Sequence, residues 1–91
     1  MRVIGFEWDS GNAGHILARH GLMPDEVEEV FLGIPLIRNL GEDRLAAYGQ
    51  DGNGRYLTVV CIRKDAGVVR VVTARDMNQW ERRYHRREKG V

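Results

Sequence analysis

The first twenty residues change from an alternating pattern of apolar and polar positions to a helical one. Val3 to Trp8 alternates loosely, which predicts a short strand. Asp9 follows as a predicted N-cap, because its carboxylate can accept hydrogen bonds from the free amides of a first helical turn. Gly21 favours a helix terminus, since glycine adopts positive φ at little cost. A first helix is therefore predicted from Asp9 to about Arg19.

A second helix is indicated by apolar residues at helical spacing. Pro24 is typical of a first helical turn, and the acidic residues after it complement the positive end of the helix dipole. Gly33 and Pro35 mark its end. One apolar stripe is formed at positions i, i+3 and i+4 by Val27, Val30 and Phe31. The pattern therefore predicts a short amphipathic helix.

Three strands are predicted in the middle of the chain, at 44–50, 55–64 and 68–74. Two short turns separate them, Asp51 to Gly54 and Asp65 to Gly67, and both contain residues that accept the positive φ of tight hairpins. The segment YLTVVCI is apolar at nearly every position, which is typical of a central strand covered on both faces. The three strands are predicted to form an antiparallel meander.

A last helix is predicted from an N-cap at Asp76 to about Glu88. Met77, Trp80 and Tyr84 share one side of this helix and are expected to pack on the sheet. The predicted element order is β-α-α-β-β-β-α. Helices beside a mostly antiparallel sheet place the chain in the α+β class, and short connections favour one domain over residues 1–91.

Composition and cysteine usage narrow the class of protein. Hydrophobic residues make up 43% of the chain and charged residues 30%, which is a globular balance. No apolar run approaches the roughly 18 residues of a membrane span, and the amino terminus lacks the apolar core of a signal peptide. A cytoplasmic location is therefore expected. The one cysteine, Cys61, lies in a predicted buried strand and is expected to be structural.

The net charge of +1 conceals two halves of opposite sign. Residues 1–54 contain four basic and nine acidic side chains, whereas residues 55–91 contain ten basic and four acidic ones. The first half therefore carries a charge of −5 and the second a charge of +6. Such a dipolar surface suits a polyanion on one side.

The basic excess is concentrated in the predicted last helix. Arg82, Arg86 and Lys89 lie on one helical face, flanked by Arg83 and Arg87. The planar fork of arginine suits phosphate, but a charged outer face is also common on a solvated terminal helix. Charge alone therefore leaves both interpretations open.

Arg75 ends a predicted strand beside the start of this helix. At such a place, side chains from several elements can converge on a ligand. Arg75 can equally form an ion pair with Glu81 or Glu7 that ties the helix to the sheet. Its position leaves these two hypotheses balanced.

The histidines, glycines and single cysteine argue against a metal site or a phosphate loop. His15 and His20 are five residues apart on one helix, so they cannot chelate one ion as an i, i+4 pair can. His85 stands alone, and no cysteine pair accompanies it. The glycines near position 50 lie in a predicted hairpin and not at the start of a helix. No metal or cofactor is therefore expected.

Three segments of the chain resemble a known family. They are FEWDSGNAGHILARHG, PDEVEEVF and RYLTVVCIRKDAGVVRVVTARDMNQWERRYHRR. In this order and at this spacing they resemble the BrnT family of bacterial type II toxins, over nearly the whole chain. The most specific parts are the opening Phe6 to Asp9, the pair His20-Gly21, and the passage Thr73 to Arg75 followed by Glu81-Arg82 and Tyr84.

This resemblance implies a fold related to the RelE ribonuclease toxins, metal-independent RNA cleavage, and a BrnA-like antitoxin that neutralises the toxin and carries the DNA-binding function. Cleavage is expected through attack of a ribose 2′-OH on the adjacent phosphate, which requires a proton acceptor, a proton donor and cationic stabilisation. The catalytic hypothesis names His20, Arg75, Glu81 and Arg83. The predicted RNA contacts are Arg55, Arg63, Arg70, Arg82, Tyr84 and Arg86.

Two departures from the family keep a second function open. Many relatives carry lysine where Asn12 stands and asparagine where Ile16 stands, so a basic contribution from the first helix is missing here. The alternative is a catalytically inactive relative that acts as a protein-binding module. Direct DNA binding is disfavoured, because the second predicted helix carries four acidic residues that would oppose contact with a major groove.

Overall fold

The computed structural model describes residues 2–90, which form three α-helices and five strands. In chain order these are β1 (Gly5–Glu7), α1 (Ser10–His20), α2 (Pro24–Leu32), β2 (Leu36–Gly41), β3 (Arg44–Gln50), β4 (Tyr56–Arg63), β5 (Val68–Asp76) and α3 (Gln79–Lys89). A short 3-10 helix, Asp65–Gly67, joins β4 to β5. The predicted α+β class is confirmed. Within 2–90, none of the helices is long and apolar enough to cross a membrane.

All five strands belong to one sheet, in the order β1-β5-β4-β3-β2. β1 lies parallel to β5, whereas the other neighbouring pairs are antiparallel. The predicted meander is confirmed as β3, β4 and β5, with β4 at the centre of the sheet. The sheet is therefore mixed, and the amino terminus supplies its parallel edge strand.

The predicted element order lacks one strand, β2. Leu36 and Ile37 are half-buried, but the four residues after them are exposed, so the segment shows no alternation. It is a strand because it pairs with β3 at the edge of the sheet, where Leu36 lies opposite Tyr48. Tertiary pairing, and not a local pattern, therefore creates this element.

Both ends of α1 agree with the prediction. Asp9 Oδ1 accepts a hydrogen bond from the Asn12 amide at 3.1 Å, and Asn12 Oδ1 accepts one from the Asp9 amide at 2.8 Å. The two residues thus form a capping box. The helix ends at Gly21, whose φ of 65° confirms the predicted terminus.

α1 and α2 cover one face of the sheet and enclose the main core. Ile16 of α1 and Val27 and Val30 of α2 are almost completely buried. They pack against Leu45, Ala47, Leu57, Val59, Cys61, Val69, Val71 and Ala74 of the sheet. Burial raises the pKa of the Cys61 thiol to about 12, in agreement with a structural role. Each buried aliphatic side chain of this size contributes about 1.5–3 kcal/mol, so this face holds the fold together.

α3 covers only part of the opposite face. A second, smaller buried cluster consists of Ala46, Tyr48 and Met77. Tyr84 of α3 packs against this cluster. Beyond α3, Val60 and Ile62 of β4 are only half-buried. β4 is therefore central, as predicted. The prediction that it is covered on both faces is wrong for the part around Val60 and Ile62.

α3 starts later than predicted. Asp76 is the last residue of β5 and not an N-cap. The cap is Asn78, whose Oδ1 accepts from the Glu81 amide at 2.9 Å while its own amide donates to Glu81 Oε1 at 2.9 Å. This capping box satisfies two free amides and so determines where the helix begins.

The side of α3 that faces the sheet also differs from the prediction. Trp80 is 48% exposed, so the predicted apolar stripe is wrong at this position. The residues that α3 itself buries are Glu81 and His85, one turn apart. The helix therefore presents polar side chains to the sheet, which apolar spacing could not reveal.

Candidate active site

Arg75 and Glu81 form an ion pair between the sheet and α3. Arg75 lies on β5 directly after Ala74, which belongs to the core under α1 and α2. Because successive side chains of a strand point to opposite faces, Arg75 points toward α3. Its Nη1 donates to Glu81 Oε1 at 2.6 Å, and its Nη2 donates to Glu81 Oε2 at 2.9 Å. The anticipated tie between helix and sheet is therefore present, with Glu81 as the partner.

Burial and hydrogen bonding together determine the charge of this pair. Burial is the largest influence on Glu81 and opposes its ionisation, but hydrogen bonds from Arg75 and the Asn78 amide outweigh it, so the pKa of Glu81 is lowered. The hydrogen bond to Glu81 in turn raises the pKa of Arg75. Both side chains are therefore charged at neutral pH.

Arg75 retains hydrogen-bond donors for a ligand. Its side chain is 37% exposed, whereas that of Glu81 is 6% exposed. A guanidinium has five N–H donors, and Arg75 uses one for the Asp76 carbonyl at 3.2 Å besides the two for Glu81. In the part of the chain that the structure describes, the other two donors have no protein acceptor. Glu81 thus orients Arg75 and leaves two donors available to a phosphate.

A row of aromatic side chains lies on the same side of the sheet. Trp80 and Tyr84 stack with ring centroids 5.3 Å apart and an interplanar angle of 6°. Tyr84 meets the buried Tyr48 edge to face at 5.6 Å. Arg38 of β2 places its Cζ 5.3 Å from the Trp80 ring centroid and donates from Nη1 to Tyr48 Oη at 3.1 Å. Sequence reasoning missed Arg38, because only the pairing of β2 with β3 brings it to this row.

A second cationic group faces Tyr56 at the start of β4. Tyr56, Arg82, His85 and Arg86 line a recess of about 70 Å³. The Cζ of Arg82 lies 3.8 Å from the Tyr56 ring centroid. His85 is 7% exposed, and burial, followed by the charges of Lys89 and Arg82, lowers its pKa. The imidazole is therefore neutral at pH 7 and can accept a proton.

His85 was absent from the predicted catalytic set. It lies at i+4 from Glu81, and this spacing on one helix was a signal that both side chains share a face. The apolar spacing of Met77, Trp80 and Tyr84 favoured a different face for the sheet. Burial of two polar residues under a helix is uncommon, so pattern alone could not rank the two faces correctly.

His20 lies apart from the Arg75–Glu81 pair. It ends α1, which packs on the face of the sheet opposite to α3. Arg55 donates from Nη2 to the His20 carbonyl at 3.3 Å and forms an ion pair with Asp76 at 2.6 Å. The hydrogen bond from Arg55 lowers the pKa of Asp76. Arg55 therefore ties the end of α1 to the end of β5, and no hydrogen bond or ion pair within 2–90 joins His20 to Arg75 or Glu81.

The other predicted RNA contacts are spread over the molecule. Arg70 donates to the carboxylates of Glu7 at 3.0 Å and Asp9 at 2.9 Å, which ties β5 to the chain leading into α1. Arg63 makes a weak hydrogen bond of 3.4 Å to β2. Arg83 is exposed on α3 and has no ion-pair partner among residues 2–90. Of the predicted set, the α3 side of the sheet therefore brings together Arg75, Glu81, Arg82, Tyr84 and Arg86.

The two departures from the resemblance, Asn12 and Ile16, are structural in this chain. Asn12 is buried, and its Nδ2 donates to the carbonyls of Glu7 and Val71, each at 3.0 Å. Ile16 is 1% exposed in the main core. Both residues lie on α1, so neither belongs to the cluster around Arg75.

Asn12→Ala is expected to lower the free energy of unfolding by about 2–3 kcal/mol, because it breaks the capping box and leaves the buried Val71 carbonyl without a donor. Urea unfolding followed by circular dichroism measures the difference. Asn53→Ala, at an exposed turn position, is the control and is expected to change this free energy by less than about 0.5 kcal/mol. Equal effects of the two substitutions would contradict a special role for the buried amide.

Comparison with known proteins yields a family and a solved structure. The family model described as ribonuclease toxin, BrnT, of type II toxin-antitoxin system matches residues 8–81. The 1.1 Å crystal structure of the Brucella abortus ribonuclease toxin BrnT has the same fold, with a TM-score of 0.71 and 24% sequence identity, covering 85% of this chain and 100% of that chain. A comparison with curated proteins gives no match. The matched residues 8–81 include both members of the Arg75–Glu81 pair.

Proposed function

Because the chain belongs to the BrnT family of ribonuclease toxins of type II toxin-antitoxin systems, we propose that it cleaves RNA at the surface formed by β5 and α3. The main support for this proposal is the Arg75–Glu81 pair, in which a buried carboxylate orients an arginine side chain that is 37% exposed. A cation held in place before the reaction is well suited to stabilise charge that develops on a phosphate. In this proposal residues 1–91 form one toxin domain that acts in the cytoplasm.

The proposed reaction is attack of a ribose 2′-oxygen on the adjacent phosphorus. The P–O2′ bond forms while the P–O5′ bond breaks, so the products are a 2′,3′-cyclic phosphate and a 5′-hydroxyl. The proton of the 2′-hydroxyl passes to a base, and the departing 5′-oxygen receives a proton from solvent water. Arg75 stabilises the charge on the nonbridging oxygens with the two N–H donors that Glu81 leaves available, and Glu81 acts as the positioning residue.

His85 is the side chain that we assign as proton acceptor. Its pKa is lowered, so the imidazole is in the basic form near pH 7. It lies one helical turn from Glu81 and lines the recess with Arg82 and Arg86, which can bind a neighbouring phosphate. His20 was the sequence-based candidate for this task, but its helix packs on the other face of the sheet. We therefore propose His85 in its place.

The first experiment is expression of the chain from an inducible promoter in bacteria, with growth and RNA integrity as readouts. Growth arrest with loss of RNA is expected, and purified protein is expected to leave 2′,3′-cyclic phosphate ends on a single-stranded RNA. Normal growth and intact RNA in the presence of soluble, folded protein would contradict the nuclease proposal. That result would favour the inactive binding module, for which the Arg75–Glu81 pair would serve only to tie α3 to the sheet.

RNA cleavage is expected to continue at an unchanged rate in excess EDTA, because arginine side chains supply the positive charge in the proposed reaction. The measurement compares initial rates on a single-stranded RNA with and without the chelator. A rate that falls in EDTA and returns with added Mg²⁺ would show that a divalent ion takes part.

We further propose that the antitoxin partner implied by the type II family is BrnA-like and covers the α3 arginines with acidic residues. Arg82, Arg83, Arg86 and Arg87 are all exposed, which gives this helix a strongly positive outer surface. Association is then expected to be fast at low salt and to slow by at least about tenfold at high salt. Stopped-flow measurements of purified toxin and antitoxin test this, and an association rate that is independent of salt would contradict it.

A further inference from the structure

The α3 side of the sheet has an open half that the proposed reaction does not use. Strand pairing aligns one row of residues under α3 and a neighbouring row beyond it. The row under α3 is Leu36, Tyr48, Thr58 and Arg75, and the open row is Arg38, Ala46, Val60 and Thr73. Val60 and Thr73 are half-buried, and Arg38 is exposed at the end of the open row. Ala46 is buried in the Tyr48 cluster, so the open half is a shallow surface centred on Val60 with Arg38 at one end.

Trp80 of α3 lies at the border of this open surface. It is 48% exposed, yet its ring is stacked on Tyr84, which in turn packs on Tyr48, a residue that is 1% exposed. The indole is therefore held by contacts that reach the core, while half of its surface remains in water. Arg38 lies over the same ring, with Cζ 5.3 Å from the centroid.

Cations flank both members of the aromatic stack. Arg38 lies over Trp80, and the Cζ of Arg87 lies 5.7 Å from the Tyr84 ring centroid. Surfaces that bind single-stranded nucleic acid combine exposed aromatic rings, on which bases stack, with positive charges that contact the backbone. Both components are present here, and the ring is oriented before any ligand binds.

We propose that this surface is a nucleotide-binding subsite, in which a base of single-stranded RNA stacks on Trp80 in place of the Arg38 guanidinium, which then contacts an adjacent phosphate. The assignment rests on the proposed RNA cleavage, because it places the same substrate strand across the sheet. The backbones of Arg38 on β2 and Arg75 on β5 are three interstrand spacings apart, or about 14 Å. In this proposal the two arginines contact different phosphates of one strand. Stacking recognises the π-face that every base has, so the subsite is tolerant of sequence.

The test is binding of a fluorescein-labelled, ten-nucleotide 2′-O-methyl RNA, which lacks the attacking hydroxyl and cannot be cleaved. Fluorescence anisotropy is measured with the same oligomer and with an abasic version that keeps its phosphates. Trp80→Ala is expected to weaken binding of the base-bearing oligomer by about 5- to 100-fold and to leave the abasic oligomer unaffected. Trp80→Phe, which keeps an aromatic ring, is expected to restore most of the affinity. Arg38→Ala is expected to weaken the binding of both oligomers. It is also expected to reduce the slope of the logarithm of the binding constant against the logarithm of the salt concentration by about one.

Trp80 fluorescence provides a second readout. The chain has two tryptophans, Trp8 and Trp80, so Trp8→Phe leaves Trp80 as the single reporter, and base stacking is expected to quench it. Circular dichroism and thermal unfolding confirm that each variant is folded. Unchanged affinity in Trp80→Ala, or an equal loss for both oligomers, would overturn the subsite. Trp80-dependent binding by a wild-type protein that cleaves no RNA would support the subsite and refute the nuclease proposal.

Discussion

Replacing Arg75 with alanine is expected to reduce RNA cleavage by about 100- to 1000-fold, the loss typical when one preorganised donor to developing charge is removed. Arg75 is the residue in which a fixed orientation and available N–H donors coincide, because Glu81 holds one side of the guanidinium and 37% of the side chain remains exposed. Initial rates on a 5′-labelled single-stranded RNA, normalised to the folded fraction, give the effect.

The same substitution also removes a structural contact, so Glu81→Gln is the matched control. Arg75→Ala leaves the Glu81 carboxylate, 6% exposed, without its counter-ion, and is expected to cost about 1–3 kcal/mol. That range is below the cost for a fully buried pair, because water still reaches Arg75. Glu81→Gln weakens the ion pair but keeps the guanidinium, so cleavage is expected to fall by about tenfold or less.

The comparison of these two variants separates catalysis from structure. If Arg75 binds the scissile phosphate, Arg75→Ala loses much more cleavage than Glu81→Gln at the same folded fraction. If both variants lose only what their unfolded fractions explain, Arg75 is a structural tie, and the chain is better described as a binding module. Arg75→Lys is expected to recover part of the activity, since it restores the charge without the two-pronged hydrogen bonding of arginine.

Replacing His85 with glutamine is expected to reduce cleavage by about 100-fold or more, the contribution of a positioned general base. The wild-type rate should rise with pH as the imidazole loses its proton, through a pKa lowered from the ordinary value of 6.5, and then become level near neutral pH. His85→Gln should lack this rise of the rate on the acid side of the pH profile, the acid limb. His20→Ala is the control and should retain both the rate and the acid limb.

Stability should follow the same titration. The pKa of His85 is lower in the folded than in the unfolded protein, so the unfolded state binds more protons between the two values. The contribution of neutral His85 to stability is therefore present above about pH 6.5 and is lost as the pH falls through the lower, folded-state pKa. Urea unfolding at several pH values measures this contribution.

The kinetic prediction for His85 has its own contradicting outcome. A His20→Ala variant whose cleavage rate no longer rises with pH on the acid side, beside a His85→Gln variant whose rate still does, would return the catalytic role to His20.

Local signals in the sequence determined α1, α2 and the β3-β4-β5 meander. The Asp9 cap, the Gly21 terminus and the Pro24 start each act within one helical turn, so their effect does not depend on the rest of the fold. Hairpin turns join neighbouring strands with few residues between them, which makes their pairing equally local. The α+β class follows from these elements, and it was predicted correctly.

The Arg75–Glu81 pair was predicted from the sequence only in part. Arg75 was expected either to bind a ligand or to pair with Glu81 or Glu7, because it ends a strand next to a helix start. The choice of Glu81 required α3 to lie over the face of the sheet to which Arg75 points, and no pattern within a few residues of Arg75 encodes that position.

Only the tertiary structure decided which other residues join the site. β2 has no pattern of its own, so Arg38 became visible next to Trp80 only through pairing with β3. The burial of His85 and the exposure of Trp80 depend on how α3 is rotated over the sheet, which its capping box and its ion pair to Arg75 determine together. Contacts between residues distant in sequence set these features, and a local pattern of apolar and polar positions cannot contain them.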